Sequence, residues 1–342
     1  MIVMVNIAWG FGFLLLVSTV YHQIRQRIDL RDNPPPGELI KIGNDRMHIY
    51  GQGKGSPTLL FSCGGGFGFS LGNYYHTFSK LMKRTRVVVY DRFGFGWSDS
   101  TAKARTLEQI NRDLHKLLHR SQERGPYVLV GHSLGATEVL QFAQRYPKLV
   151  TGVVMLDGVS PSFYQKNQGV FVTNFVTYVV ASFLRFTGIL RVLLKLHELK
   201  EVDIPEPEKK ISKLSAMMMY NRIFSPNALQ EILALQKGDE LESKLGDMPL
   251  LVVAAENANM KKAMRQDWID CQERLLALST NSKRKLLKGT DHMFPIKQPE
   301  IVTEEISWFM DNMLSSQVPE EESRINEQSK AQNATTKKTT GD

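Results

Sequence analysis

The stretch Tyr127-Val128-Leu129-Val130-Gly131-His132-Ser133-Leu134-Gly135 is a short apolar strand that runs into G-x-S-x-G and then into an amphipathic helix, Ala136 to Tyr146. A strand, a tight turn and a helix in that order carry a serine on a sharp elbow. The turn leaves room only for glycine two residues before and two after Ser133, because a side chain there would strike the neighbouring strand and helix. It also holds the hydroxyl at the carboxyl edge of a sheet, where the new helix aims its first N–H groups. Ser133 is therefore the candidate nucleophile.

A serine hydroxyl is a poor nucleophile until a base takes its proton, so a histidine is required later in the chain. Gly289-Thr290-Asp291-His292-Met293-Phe294-Pro295 supplies it. His292 follows the β-rich Lys283 to Leu287 and precedes a helix from Pro299 to Met313, which puts it on a strand-to-helix loop at the same sheet edge as Ser133. His22, His48, His115, His119 and His197 lie on segments that fit less well, and His132 reads as a packing side chain inside the elbow. An acid must fix the imidazole tautomer and stabilise its charged form. Two carboxylates qualify: Asp157, which ends the strand Val150 to Leu156, and Glu256, which ends the strand Leu250 to Ala255. Asp157 is preferred and Glu256 is the alternative.

These residues resemble the α/β-hydrolase superfamily, and in particular its capped serine hydrolases, from about Glu38 to Met313. Asp91-Arg92-Phe93-Gly94-Phe95-Gly96-Trp97-Ser98 is similar to that family's D-x-x-G-x-G-x-S loop, Gly131 to Gly135 to its elbow, and Gly289 to Pro295 to its histidine loop. The resemblance implies a mostly parallel α/β sheet flanked by helices, with a helical cap inserted over the site. Asp91 is then structural, bonding the amides of its own loop. An ester or amide hydrolase also needs two backbone donors for the oxyanion; Leu134 gives the first and Gly65, in Cys63-Gly64-Gly65-Gly66, the second. The family commonly has His-Gly where this chain has Cys63-Gly64, which affects the shape of that hole.

With 342 residues, 42% of them apolar, the chain can bury a large core. Strands and helices alternate from a hairpin around Gly43-Asn44-Asp45 onward, which argues independently for a parallel sheet wrapped by helices. The expected division is an anchor over 1–24, a linker over 25–37 containing Pro34-Pro35-Pro36, a catalytic core over 38–159 and 249–314, a helical cap over 160–248 and a disordered tail over 315–342. The anchor rests on Ile2 to Val20, nineteen residues without a charge, followed by Arg25, Arg27 and Arg31. Basic residues on that side only place the catalytic domain in the cytoplasm behind a single span. Within the cap, Val170 to Leu199 is apolar but broken by Arg185, Arg191 and Lys195, which fits an amphipathic lid better than a second span.

Cys63 and Cys271 lie far apart and suit neither a disulfide framework nor a zinc site. No phosphate-binding loop is left once the glycines are assigned, so no cofactor and no metal are expected. The net charge of +8 comes without a nucleic-acid-binding motif, and the basic surface suits anionic lipid headgroups instead. The expected activity is acyl transfer to water on an ester or amide, most simply a carboxylic ester with a hydrophobic acyl chain. By resemblance the alternatives are a proline-releasing aminopeptidase and a carbon–carbon bond hydrolase; from a different class, a membrane-tethered binding protein that kept the fold and lost the chemistry.

Overall fold

The computed structural model describes residues 1–66, 68–198, 208–238 and 243–314, so the expectation of a disordered tail over 315–342 falls outside the described residues. A long helix, α1 (Ile2–Asp32), leads into the hairpin β1 (Glu38–Ile42) and β2 (Asp45–Gln52), which turns through Gly43 at a φ of 76°. Strand and helix then alternate through β3 (Thr58–Ser62), α2 (Ser70–Leu81), β4 (Val87–Tyr90), α3 (Leu107–Arg120), β5 (Tyr127–His132), α4 (Leu134–Arg145) and β6 (Val150–Leu156). An insert of helices follows: α5 (Pro161–Lys166), α6 (Gln168–Phe186), α7 (Ile189–Glu198), α8 (Glu208–Arg222) and α9 (Pro226–Lys237). The sheet resumes with β7 (Leu250–Ala255), α10 (Lys262–Leu276), β8 (Ser282–Leu287), α11 (Phe294–Lys297) and α12 (Pro299–Phe309).

The eight strands form one sheet in the order β1-β2-β4-β3-β5-β6-β7-β8, parallel from β4 to β8 and antiparallel where β2 meets β1 and β4. Every residue of β3, β4, β5 and β7 is buried, as continuous Val/Leu runs require when helices cover both faces. Successive side chains alternate between those faces. Phe61, Val89 and Val130 pack with Phe78 of α2 and Phe309 of α12, whereas Leu60, Val88 and Leu129 pack with Leu114 of α3 and Val139 of α4. Each such side chain taken from water stabilises the fold by about 1.5–3 kcal/mol.

The strand order reverses beside β3, with β4 on one side and β5 on the other. Loops leaving the carboxyl ends of β3 and β5 diverge there and open a crevice, the usual place for a ligand in such a sheet. The segment after β3 is Cys63 to Gly66, and the residue after β5 is Ser133.

Boundaries differ from the sequence reading at several points. Helix α4 starts at Leu134, two residues before Ala136, because Ser133 itself is the last non-helical residue. Helix α1 runs past residue 24 to Asp32, into the segment read as linker, because Arg25 pairs with Asp29 one turn on (3.1 Å) and Asp29 meets Arg191 of the insert (2.6 Å). The apolar stretch Val170 to Leu199 contains two helices, since Gly188 at φ 80° turns the chain between α6 and α7.

Candidate active site

Ser133 sits at φ 55° and ψ −121°, a backbone conformation that L residues rarely adopt. Close packing around it enforces the bend. A Cβ on Gly131 would stand 2.6 Å from Cα of Ala136, and one on Gly135 would stand 2.5 Å from the carbonyl oxygen of Cys63. Both contacts are with backbone, so neither neighbour can yield. The Ser133 N–H donates to the Leu156 carbonyl (3.1 Å), which ties the elbow to β6.

The loop after β8 brings His292 to the same edge, and its Nδ1 lies 2.7 Å from Oδ2 of Asp157 at the end of β6. Asp157 is fully buried. Its Oδ1 accepts from the Ala255 N–H (3.0 Å), Trp268 Nε1 (3.1 Å) and Gln272 Nε2 (3.0 Å), and its Oδ2 also accepts from Asn257 Nδ2 (3.1 Å). Burial alone would raise this carboxyl's pKa, but the bonds from His292, Asn257 and Ala255 outweigh it and hold the group below the ordinary aspartate value. The carboxylate is thus charged and its position fixed. Glu256, the other candidate acid, faces elsewhere: its Oε2 accepts from the Gly289 N–H (2.7 Å) and so braces the loop that carries His292.

Ser133, His292, Leu134 and Gly65 line one cavity of about 320 Å³, closed by Tyr178 of α6, Phe224 and Ile232 of the insert. The Leu134 N–H is the first of α4, where no intrahelical acceptor exists. Gly65 stands directly under the insert, since a Cβ there would come within 3.0 Å of the Tyr178 hydroxyl. A larger open groove of about 660 Å³, between Arg105, Gln141 and Lys237, contains none of Ser133, Asp157 and His292.

Residues around the site, among them Arg92, which the sequence reading passed over, complete the arrangement. Buried His132 lies 2.8 Å through its Nε2 from the carbonyl of His292, and the two rings are 4.8 Å apart. Burial, and then the positive charge His292 can carry, pushes the His132 pKa far down, so His132 is a neutral ring that donates to that carbonyl. Arg92 is buried and donates to the carbonyls of Cys63 (2.8 Å) and Gly64 (3.1 Å), holding their oxygens away from the cavity. It also pairs with Glu138 of α4 and Glu231 of α9, both at 3.0 Å, so one guanidinium joins the glycine loop, the core and the insert. Asp91 accepts from the N–H groups of Ser70 (2.9 Å) and Trp97 (3.3 Å) and pairs with His48 (2.7 Å), away from Ser133. Burial pushes the Cys63 thiol up to about 11, which leaves it unreactive. Among the described residues, no group of three or more His, Cys, Asp or Glu is arranged to hold a metal ion.

Residues 57–299 match the model of a family described as the alpha/beta hydrolase fold. The uncharacterized protein YbdG of Bacillus subtilis is 25% identical over 315 residues, 87% of this chain and 93% of that one. A 2-hydroxy-6-oxo-6-(2'-aminophenyl)hexa-2,4-dienoic acid hydrolase of Metapseudomonas resinovorans is 29% identical over 118 residues, 34% of this chain and 41% of that one. Among solved structures, an epoxide hydrolase of Bacillus megaterium aligns at a TM-score of 0.61 and 16% identity, covering 80% of this chain and 100% of its own. The enol-lactonase of Burkholderia xenovorans aligns at 0.57 and 16%, with the same two coverages. At such identities the solved structures speak to the fold alone, while the family model spans well over half of the sequence. The chain belongs to the alpha/beta hydrolase fold family.

Proposed function

We propose that the protein is a serine hydrolase that works through an acyl-enzyme, and that its substrate is a carboxylic ester with a hydrophobic acyl chain. The observation that carries this reading is the 2.7 Å contact between His292 Nδ1 and the buried Asp157, on a histidine that shares one cavity with Ser133. With Nδ1–H donated to the carboxylate, Nε2 is left as the base. It takes the Ser133 proton as Oγ attacks the carbonyl carbon, and the N–H groups of Leu134 and Gly65 receive the developing oxyanion. The imidazolium returns its proton to the leaving alcohol; water then attacks the acyl-serine by the same route. The bond between Glu256 and Gly289 favours Asp157 as the acid.

Leu134, Ile223, Phe224, Ile232 and Met293 make much of the cavity apolar, which favours an acyl chain over a charged group. Helix α1 serves in this reading as the membrane anchor: it has 31 residues, and none of its most apolar window, with a mean hydropathy of 2.0, is buried. Arg25, Arg27 and Arg31 after the apolar stretch favour a cytoplasmic catalytic domain. The test is a chain-length panel of aryl esters given to the full chain in detergent. Turnover is expected to rise with chain length until the cavity is filled and then to fall; no turnover of any member would reject the esterase reading.

A further inference from the structure

Helix α6 has two faces of opposite use. At about 100° per residue, Val172, Val176, Val179, Val180, Phe183 and Phe186 fall on one side, and Asn174, Thr177 and Tyr178 on the other. The second set lines the cavity that contains Ser133. The first set is exposed, between 42% and 54% for every member. The helix holds no acidic residue, and its single base, Arg185, is buried among the insert. A soluble surface helix carries charge on its outer face; this one carries valine and phenylalanine.

The stripe adjoins a second apolar surface at its carboxyl end. Its carboxyl end abuts α1 at the end of the apolar segment: Ser18 Oγ donates to the Thr187 carbonyl (2.7 Å) and Gln23 Nε2 to the Phe186 carbonyl (3.1 Å). Nearly two turns beyond Gln23 on α1, Arg191 of α7 bonds Asp29 (2.6 Å) and Asn221 of α8 (2.6 Å) in a buried cluster. The helix that provides a long apolar segment with no buried residue is therefore locked to the insert at the level where the α6 stripe ends. Val192 and Leu193 of α7, both exposed, extend the apolar surface, and Arg27 and Lys195 are exposed cations on α1 and α7, the two helices that adjoin α6 there.

We infer that the α6–α7 face of the insert lies on a phospholipid surface, in the plane of the interface, with the apolar stripe in the outer acyl region and the flanking cations among the headgroups. Helix α6 lies along the bilayer and does not cross it, because its inner face carries the polar cavity wall. The cavity is then one helix diameter, about 10 Å, from lipid. This inference rests on the reading of α1 as a membrane segment, and the experiment separates the two.

Cys63 and Cys271 are both buried, so single cysteines can be labelled selectively in the full chain. An environment-sensitive fluorophore is attached at Val176→Cys, Phe183→Cys, Leu14→Cys in α1, and Glu273→Cys on the exposed surface of α10. The proteins are reconstituted in phosphatidylcholine–phosphatidylserine vesicles containing nitroxide-labelled lipid. The labels at Val176 and Phe183 are expected to be quenched severalfold more by a headgroup-proximal nitroxide than the label at Glu273, and severalfold less by iodide in the water. Iodide quenching equal to that at Glu273 would overturn the inference. So would stronger quenching by a nitroxide at the acyl terminus, which means a span, or shielding that depends on protein concentration and not on lipid, which means a second copy. Leu14 reports the anchor separately: lipid quenching there without it at Val176 and Phe183 leaves α1 in the membrane and removes the α6–α7 contact.

Discussion

Asp157 and Glu256 end neighbouring parallel strands, yet only Asp157 reaches the imidazole of His292, while Glu256 bonds the backbone of the loop beneath it. The expected consequence is a large difference between two similar substitutions. Asp157→Asn should lower kcat by about 10⁴, as loss of the correct tautomer does, whereas Glu256→Gln keeps an acceptor for Gly289 and should stay within about tenfold of the wild type. Steady-state turnover of one ester decides it, and the reverse ranking would refute the assignment. A second prediction concerns His48, whose two ring nitrogens face Asp91 and the Pro36 carbonyl, so that both must carry a proton. Burial lowers its pKa, but Asp91 and Pro36 outweigh burial and raise it above 6.5. A raised value means that the stabilisation is complete below the unfolded-state pKa and is lost as pH rises through the folded-state one. The Tm advantage of wild type over His48→Gln should therefore shrink from about pH 6 to about pH 9; an advantage that grows would contradict it. Ser133 and His292 were legible because local sequence marks them: a strand before, a helix after, glycines where a Cβ has no room. The sequence favours Asp157 over Glu256 only by which strand it ends; what separates the two carboxylates is contacts between residues more than a hundred positions apart, such as Trp268 and Gln272 with Asp157.

Most elements were visible at their own scale. The buried strands are continuous apolar runs, and Thr106 marks the start of α3 by capping. The insert was legible only as an apolar helical stretch, since its shape depends on Gly188, where a Cβ would stand 2.7 Å from Cβ of His22, and on α1 packing there. Likewise nothing near Arg92 in the sequence signals that its charge is shared by Glu138 and Glu231 from two other elements. Arg92→Met would leave Glu138 buried without a cation, leave Glu231 with only Arg105 at 3.9 Å, and free the carbonyls of Cys63 and Gly64. Removing one partner of such a network costs about 3–5 kcal/mol, so denaturant unfolding should show a loss of that size; a loss under about 1 kcal/mol would mean that the guanidinium does not join the loop to the insert.

At the scale of the whole molecule, a sheet brings Ser133, Asp157 and His292 to one edge, and an insert covers the cavity there. A long apolar helix is fixed to that insert by the cluster of Asp29, Arg191 and Asn221. In the proposed reading, chemistry, access and attachment meet around one cavity, and the chemistry depends on Ser133 being a nucleophile activated by His292. The most direct test is reaction of the full chain with a fluorophosphonate, followed by mass-spectrometric location of the adduct. The account predicts a phosphonylated peptide containing Ser133 that is absent in Ser133→Ala and forms far more slowly in His292→Ala. An unmodified wild-type protein, or an adduct on any other residue, would contradict it.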